Sequence, residues 1–259
     1  MINQLAIVAP IHYPKIKWLQ KLVDSYNEVK PDIDLYIVVS EEESHLLAEY
    51  RNIHENIIVC PNVNNSRSPV TYKKMYGLHE VYKLNKYIGY ACIDSESEFL
   101  KSNLTFQDSF ENFYYNQEII CYPTDVDFLI NIQKESAAIY PENEELRKFK
   151  NLYSVWNTIP WFIDLYLPLY FQESGFYNNY FKTCPWEVFD QLNFQAWLVS
   201  KGLFKISDTQ YRLEYPEDMP VHERRIFNDV RVDWIRLGAK NLECFKNQSP
   251  LMYFHTDRN

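Results

Sequence analysis

The segment Asp94-Ser95-Glu96 carries two carboxylates separated by one residue, directly after an apolar run. Carboxylates at this spacing can share one divalent cation, because Mg²⁺ and Mn²⁺ prefer oxygen ligands. If the segment is extended, alternation places Asp94, Glu96 and Glu98 on one side of the chain. The same residues also fit a solvated acidic turn, so their interpretation depends on the fold that positions them.

Short apolar runs alternate with helical patterns over residues 1–100, which is typical of a parallel sheet with right-handed crossovers. The predicted strands are 5–9, 34–39, 56–60 and 87–93, and the predicted helices between them are 14–28, 40–51 and 69–84. Ligands of such sheets bind outside the carboxyl ends of the strands. This rule selects residues 9–13, 40–42, 62–67 and 94–98.

The second half has a different pattern, without an internal repeat or a linker. It predicts helices at 106–116, 142–150 and 185–201, a strand at 118–121, a partly helical aromatic stretch at 160–182, and a final apolar strand ending at His255. Gly202 is suited to end the helix that starts near Pro185. We therefore expect one domain over 1–259, with the sheet continuing into the second half.

Composition excludes several classes of protein. The chain has 259 residues, of which 46% are hydrophobic, and a net charge of −9, which indicates a folded core and disfavours binding to nucleic acid. No apolar run approaches the roughly 20 residues that cross a membrane. The N-terminus lacks the basic region of a signal peptide. The five cysteines are widely spaced, as expected for reduced thiols in a cytoplasmic protein.

Basic residues near the start of predicted helix 69–84 could bind an anion. Arg67, Lys73 and Lys74 lie close to this helix N-terminus, whose free N–H groups favour negative charge. An ordinary amphipathic helix with exposed lysines would show the same sequence pattern.

The run Tyr90-Ala91-Cys92-Ile93-Asp94-Ser95-Glu96 resembles the hydrophobic strand and DxD motif of nucleotide-sugar-dependent glycosyltransferases with the GT-A fold. The resemblance implies an α/β fold of Rossmann type, with a mostly parallel sheet, flanking helices and a helical acceptor-side part. Residues 1–100 would form the nucleotide-binding half and residues 101–259 the acceptor half. Glu96 departs from the motif's second Asp, which leaves open whether a metal is required.

The resemblance also assigns roles to particular residues. Tyr13 could stack on the base, and Ser40 could hold the ribose or the base. The expected donor-binding residues are Ala9, Pro10, Tyr13, Ser40, Arg67, Lys73, Lys74, Asp94, Ser95 and Glu96. The expected ligands of Mn²⁺ or Mg²⁺ are Asp94, Glu96 and His255.

The acceptor half offers two catalytic candidates, Glu187 and Asp190, one turn apart on the predicted helix. In inverting GT-A enzymes such a carboxylate is the general base on the acceptor hydroxyl. The run Asp190-Gln191-Leu192-Asn193 resembles instead a segment of retaining, glycogenin-like enzymes, and acids are also common at helix N-termini for electrostatic reasons. Trp186 could stack on a sugar or anchor the core.

A second acidic pair, Asp125 and Asp127, follows predicted strand 118–121. These residues could bind hydroxyl groups of the donor sugar, or they could form a turn.

The resulting hypothesis is a bacterial-type glycosyltransferase that transfers a sugar from a nucleotide-sugar donor to a glycan or lipid-linked acceptor, in surface polysaccharide or lipopolysaccharide synthesis. A nucleotidyltransferase is an alternative, although the first loop lacks the glycine-rich sequence such enzymes use. A non-catalytic carbohydrate-binding protein is another. The aromatic stretch 160–182 leaves open peripheral contact with the inner membrane or with another subunit.

Overall fold

The computed structural model describes residues 4–11, 15–61, 63–121, 127–154, 159–207, 234–236 and 251–255. Within these ranges the strands are β1 (Gln4–Pro10), β2 (Asp34–Ser40), β3 (Ile57–Cys60), β4 (Tyr87–Cys92), β5 (Ser97–Phe99), β6 (Glu118–Ile120), β7 (Trp161–Ile163), β8 (Lys205–Ser207), β9 (Trp234–Arg236) and β10 (Leu251–His255). The helices are α1 (Ile16–Val29), α2 (Leu47–Ile53), α3 (Pro69–Tyr82), α4 (Phe106–Asn116), α5 (Asp127–Ala137), α6 (Glu144–Lys150), α7 (Leu167–Glu173), α8 (Tyr180–Thr183) and α9 (Asp190–Ser200).

The central sheet has the strand order β3-β2-β1-β4-β7. Its first four strands are parallel, and β7 runs antiparallel to β4. The apolar runs of β1, β2 and β4 are almost wholly buried, as expected for strands that are covered on both faces. The predicted α/β class with a mostly parallel sheet is confirmed, and so is the continuation of the sheet into the second half.

Helix α3 packs unusually close to the sheet at Gly77. A Cβ atom at this position would lie 2.4 Å from Val38 Cγ2 and 2.8 Å from Val8 Cγ1. Only glycine permits this approach, because any side chain would overlap β1 and β2. The contact holds the preceding turn of α3, which carries Lys73 and Lys74, against the carboxyl ends of the strands.

Helix α9 forms the centre of the second half. Its residues from Asp190 to Val199 are all buried, and Phe194 packs against Phe162 of β7 with ring centroids 4.7 Å apart. A helix without a solvated face is typical of a core position. This burial fixes the start of α9, where Asp190 lies, relative to the central sheet.

Two smaller sheets complete the described fold. Strand β10 lies between β5 and β9, and it pairs antiparallel with β5 in a register that places Tyr253 opposite Ser97. Strands β6 and β8 pair in parallel. In the described part of the chain, no helix has the length and apolar character needed to span a bilayer.

Three local expectations differ from the structure. The helix predicted from Pro185 begins only at Asp190, because residues 185–188 form a turn and Phe189 is extended. Ser95 and Glu96 form a turn between β4 and β5, so Asp94, Glu96 and Glu98 do not alternate along one extended segment. The aromatic stretch 160–182 contains the edge strand β7 in addition to helices.

Candidate functional site

Three charged side chains from separate parts of the chain meet at the carboxyl edge of the parallel sheet. The Lys74 ammonium of α3 lies 2.8 Å from Asp94 Oδ1, in the segment after β4. It also lies 3.5 Å from Asp190 Oδ1, at the start of α9. The side chain of Asp190 is 3% exposed, whereas that of Asp94 is 35% exposed. We call Asp94, Lys74 and Asp190 the charged triad; it links the two halves of the chain, and Asp94 is its accessible member.

Burial and charge act in opposite directions within the charged triad. Burial raises the pKa of Asp190, the Asp94 carboxylate raises it further, and the nearby Lys74 ammonium only partly offsets this. Burial acts to lower the pKa of Lys74, but the carboxylates of Asp190 and Asp94 outweigh it, and the pKa lies above its usual value. Lys74 is therefore held in its charged form, and Asp190 is a stronger base than an ordinary aspartate.

Two buried polar atoms at the start of α9 have no hydrogen-bond partner among the described residues. They are Asp190 Oδ2, an acceptor, and Gln191 Nε2, a donor. A buried polar atom without a partner costs about 1–3 kcal/mol, so such atoms are characteristic of positions where a ligand or water binds. A ligand hydroxyl could satisfy either atom, because a hydroxyl can both donate and accept a hydrogen bond.

A second buried lysine, Lys73, contacts Ile11, the residue that follows β1. Its ammonium donates a hydrogen bond of 2.6 Å to the Ile11 carbonyl and lies 3.7 Å from Glu43 Oε2. Burial lowers the pKa of Lys73. Lys73 therefore connects α3 to Ile11 at the end of β1 and lies deeper than a surface lysine would.

Glu96 forms an ion pair with Lys15, the residue before α1. Its other carboxylate oxygen accepts a hydrogen bond of 3.3 Å from Ser95 Oγ. The next acidic residue, Glu98, pairs with Lys21 of α1 at 3.1 Å. Asp94 thus contacts α3 while Glu96 and Glu98 contact the region of α1. Lys15 was not among the predicted site residues, although its position soon after the end of the first strand could have indicated that it lies near the site.

The segment before α9 is held by hydrogen bonds from two other helices. Thr71 Oγ1 of α3 donates to the Val188 carbonyl at 2.9 Å. Ser136 Oγ of α5 accepts from the Phe189 N–H at 2.9 Å and donates to the Glu187 carbonyl at 3.4 Å. These contacts explain why α9 starts at Asp190, and they position Asp190 next to Lys74.

Asn193, one turn into α9, is the centre of a buried hydrogen-bond network. Its Oδ1 accepts hydrogen bonds from Tyr140 OH at 2.6 Å and from Tyr170 OH at 2.9 Å. Its Nδ2 donates to the Ser136 carbonyl at 2.8 Å. The network connects α9 to α5, to α7 and to the turn that follows α5.

Replacing Asn193 with leucine is expected to destabilise the fold by about 3 kcal/mol or more, because two buried hydroxyls and one carbonyl lose their partner. Urea unfolding followed by circular dichroism measures this change. The exposed Asn116 at the end of α4 is the matched control, since its Nδ2 contacts only Asn112, and Asn116→Leu should change stability little. Equal effects of the two substitutions would contradict the proposed role of the network.

Four of the remaining donor-site candidates lie around the same edge. Ala9 and Pro10 are buried at the end of β1, and Ser40 is buried at the end of β2, where it forms a capping box with Glu43. Arg67 is exposed just before α3. Tyr13 and Asp125 lie outside the described residues, and Asp127 is the first residue of α5.

Glu187 and Asp190 do not share a helical face, contrary to the expectation from sequence. Glu187 lies in the turn before α9 and is half-buried, whereas Asp190 is the first residue of the helix and is fully buried. Trp186 is 53% exposed and stacks on Phe128. It is therefore not a core anchor.

Metal binding was expected at Asp94, Glu96 and His255. Within the described residues, no group of three or more His, Cys, Asp and Glu side chains is arranged to hold a metal ion. For His255 the structure describes only the backbone, in β10. In β10, His255 pairs with Arg236 of β9, and the pairing of β10 with β5 ends at Tyr253 opposite Ser97.

A surface depression of about 570 Å³ lies against α6 and the turn after it. Its lining residues are Glu144, Arg147, Lys148, Asn151 and Leu152. It shares no residue with the carboxyl edge of the sheet, and it holds no group suited to sugar or phosphate chemistry beyond exposed charges. We assign the candidate site to the sheet edge.

Comparisons with known proteins give no family for the chain. No protein-family model and no curated protein matches it. Two solved structures of TarS from S. aureus are similar to part of it. The structure of TarS 1–349 has 17% identity and a TM-score of 0.30, covering 48% of this chain and 36% of that one. A second TarS structure has 16% identity and a TM-score of 0.30, covering 46% and 21%. This chain thus matches about a third or less of their length, and a likeness of this extent defines neither fold nor function.

Proposed function

We propose that this chain is a glycosyltransferase that transfers a sugar from a nucleotide-sugar donor to a glycan or lipid-linked acceptor. The observation that carries the proposal is the charged triad of Asp94, Lys74 and Asp190 at the carboxyl edge of the parallel sheet. In open α/β sheets this edge is where nucleotides bind. The triad brings a cation suited to the leaving group next to a carboxylate suited to the sugar or the acceptor.

The cationic side of the site suits a leaving diphosphate. Transfer breaks the bond between the anomeric carbon and the diphosphate, and negative charge develops on the departing oxygen. Lys74, and Lys15 beside Glu96, supply fixed positive charge at this edge. Preorganised charges of this kind stabilise the transition state more than they stabilise the bound donor.

The charge balance supports a divalent cation as part of the proposal. The two ammonium groups of Lys15 and Lys74 face the three carboxylates of Asp94, Glu96 and Asp190. These five groups carry a net negative charge, which would repel an anionic donor that binds without a cation. The oxygen ligands fit Mn²⁺ or Mg²⁺. Asp94 would be the first ligand because it is the most exposed, Glu96 would have to exchange Lys15 for the ion, and we retain His255 as the proposed third ligand. A bound ion would supply positive charge to the leaving diphosphate.

Asp190 and Gln191 would contact the transferred sugar. A donor-sugar hydroxyl would donate to Asp190 Oδ2, and a sugar oxygen would accept from Gln191 Nε2, since both atoms are buried without a partner among the described residues. Burial raises the pKa of Asp190, which suits a carboxylate that accepts a proton. In an inverting transfer Asp190 would take the proton of the acceptor hydroxyl, with Glu187 beside it. In a retaining transfer Asp190 would face the anomeric carbon. The anomeric configuration of the product distinguishes the inverting mechanism from the retaining one.

The remaining donor contacts are proposed from the resemblance to GT-A glycosyltransferases. Ala9, Pro10, Tyr13 and Ser40 would surround the nucleoside at the ends of β1 and β2, and Arg67 would meet the diphosphate from solvent. By the resemblance to GT-A glycosyltransferases, we propose synthesis of surface polysaccharide or lipopolysaccharide in the cytoplasm, at the inner face of the membrane.

Nucleotide titration tests the proposal. We expect at least one of UDP, GDP and CMP to bind in isothermal titration calorimetry, with higher affinity in the presence of Mn²⁺ than in the presence of EDTA. Asp94→Asn should weaken this binding about tenfold or more, because a carboxylate that carries the ion or orients Lys74 is lost. If none of the three nucleotides binds with or without Mn²⁺, the proposed function is wrong.

Glu98→Gln is the matched control for Asp94→Asn. Glu98 belongs to the same acidic run but pairs with Lys21 on α1, away from Lys74, so nucleotide affinity should stay unchanged. An equal loss in both variants would indicate a general effect of net charge. An unchanged affinity in both, with wild-type binding intact, would remove Asp94 from the donor site.

A further inference from the structure

Two aromatic rings from different elements stack on each other at the surface, next to the start of α9. Trp186, in the turn before α9, is 53% exposed, and Phe128, in the first turn of α5, is 44% exposed. Their ring centroids lie 5.8 Å apart with an interplanar angle of 18°. We call Trp186 and Phe128 the aromatic platform.

The aromatic platform is rigidly connected to the candidate site. Ser136 of α5 hydrogen-bonds the backbone of Glu187 and Phe189, so the helix that carries Phe128 holds the turn that carries Trp186. Trp186 precedes Asp190 by only one short turn of chain. The turn that carries Trp186 is thus attached to the helix that carries Phe128, and it leads directly into Asp190.

Core packing does not account for this pair. Single exposed apolar residues are common on protein surfaces, but here two large rings from separate elements stack on each other and remain 53% and 44% exposed. The Trp186 indole N–H has no hydrogen-bond partner within the described part of the chain. A flat apolar face with a polar donor at its margin complements a pyranose ring, which has an apolar C–H face and a rim of hydroxyl groups.

The charges beside the aromatic platform favour a hydroxylated ligand over an anionic one. The charged neighbour of Phe128 in the chain is Asp127, which is exposed, and that of Trp186 is Glu187, which is half-buried. Carboxylates accept hydrogen bonds from sugar hydroxyls but repel the anionic head groups of a membrane surface.

We propose that Trp186 and Phe128 form an acceptor subsite that binds a sugar ring of a carbohydrate acceptor. This inference rests on the proposed function, and it makes the acceptor a glycan whose sugar is recognised next to the attacking hydroxyl. Trp186 and Phe128 are binding residues in this proposal, and the transfer chemistry remains with the charged triad.

Saturation-transfer NMR with a panel of free methyl glycosides (of glucose, galactose, mannose and N-acetylglucosamine) tests the subsite. At least one glycoside should bind the wild-type protein through the C–H protons of one ring face. Trp186→Ala and Phe128→Ala should each weaken binding about tenfold or more, while Trp186→Phe should keep most of it. Tyr115→Ala is the matched control, because Tyr115 is a 73% exposed aromatic residue on α4, and it should bind like the wild type.

The outcomes separate this inference from the proposed function. Nucleotide affinity, measured in parallel, should be unchanged in Trp186→Ala. Nucleotide binding without glycoside binding, or glycoside binding that survives Trp186→Ala, would overturn the subsite and leave the glycosyltransferase proposal standing. Glycoside binding that depends on Trp186, without any nucleotide binding, would support the subsite and overturn the glycosyltransferase proposal. Trp186-dependent binding to phosphatidylcholine vesicles, with no glycoside bound, would assign the surface to a membrane and overturn the inference.

Discussion

Replacing Lys74 with methionine is expected to lower the free energy of unfolding at neutral pH by about 3–5 kcal/mol, the cost of leaving a buried charge without its partner. The Asp190 carboxylate would remain buried, with one oxygen already unpartnered, and Asp94 would no longer be separated from it by an ammonium group. Urea unfolding monitored by tryptophan fluorescence and by circular dichroism measures the difference from the wild type.

The loss in Lys74→Met should depend on pH. Burial already raises the pKa of Asp190 above the ordinary aspartate value of 3.8, and removing the lysine should raise it further. A carboxyl group whose pKa is higher in the folded state contributes stability at low pH, and this stability is lost as the pH rises through the folded-state pKa. The difference between variant and wild type should therefore be largest near neutral pH and should shrink as the pH falls towards 3.8.

Two further variants make this prediction specific. Lys74→Met combined with Asp190→Asn should recover most of the lost stability, because no buried charge remains. Lys83→Met is the control, since Lys83 is exposed at the end of α3 and pairs only with Glu80, a kind of contact that contributes little. A deficit that stays constant between about pH 4 and about pH 8 would show that Asp190 is not the group responsible.

Replacing Asp190 with asparagine is expected to lower the turnover number for sugar transfer, or for hydrolysis of the donor, by about 10²–10⁴-fold. The amide keeps the shape of the side chain but cannot accept a proton or carry negative charge. Lys74 keeps its contact with Asp94, so the fold and the affinity for nucleotide should change much less than the turnover. Release of UDP or GDP from a panel of nucleotide sugars provides the measurement.

Glu187→Gln identifies which of the two candidate carboxylates reacts. Glu187 is half-buried outside the charged triad, so we expect its replacement to reduce turnover by about tenfold or less. If Glu187→Gln abolishes turnover while Asp190→Asn retains it within a factor of about ten, the roles that we propose are reversed.

Much of the first half of the fold could be predicted because its strands are short apolar runs that end at proline or polar residues. Pro10 and Pro61 mark the ends of β1 and β3, and the helix predicted at 14–28 is observed as α1, with Leu19, Leu22 and Val23 buried. Strand β7 was not predicted as a strand, because its three residues lie inside a longer aromatic run whose pattern fits either structure. The predicted start of α9 was wrong, because a tertiary contact between Ser136 and Phe189 determines where the helix begins.

The site was partly predictable for a physical reason. Strand ends of a parallel sheet share one edge, so Asp94 and the lysines of α3 were expected near each other, and the structure places Lys74 against Asp94. The ion pair between Glu96 and Lys15 and the network around Asn193 depend on packing between distant segments, which local periodicity does not encode. The roles of these residues in binding a nucleotide stay predictions until a titration tests them.

Strand β7 also bears on how the chain could be divided. It pairs with β4, the strand that leads to Asp94, and it comes from the half that carries Asp190. A fragment limited to residues 1–100 would present β4 as an unpaired edge strand, whose free N–H and C=O groups are a template for intermolecular pairing. Such a fragment would also lack the carboxylate that, with Asp94, neutralises Lys74. The two halves are therefore a poor choice for separate expression, and full-length protein is the form in which the experiments above should be carried out.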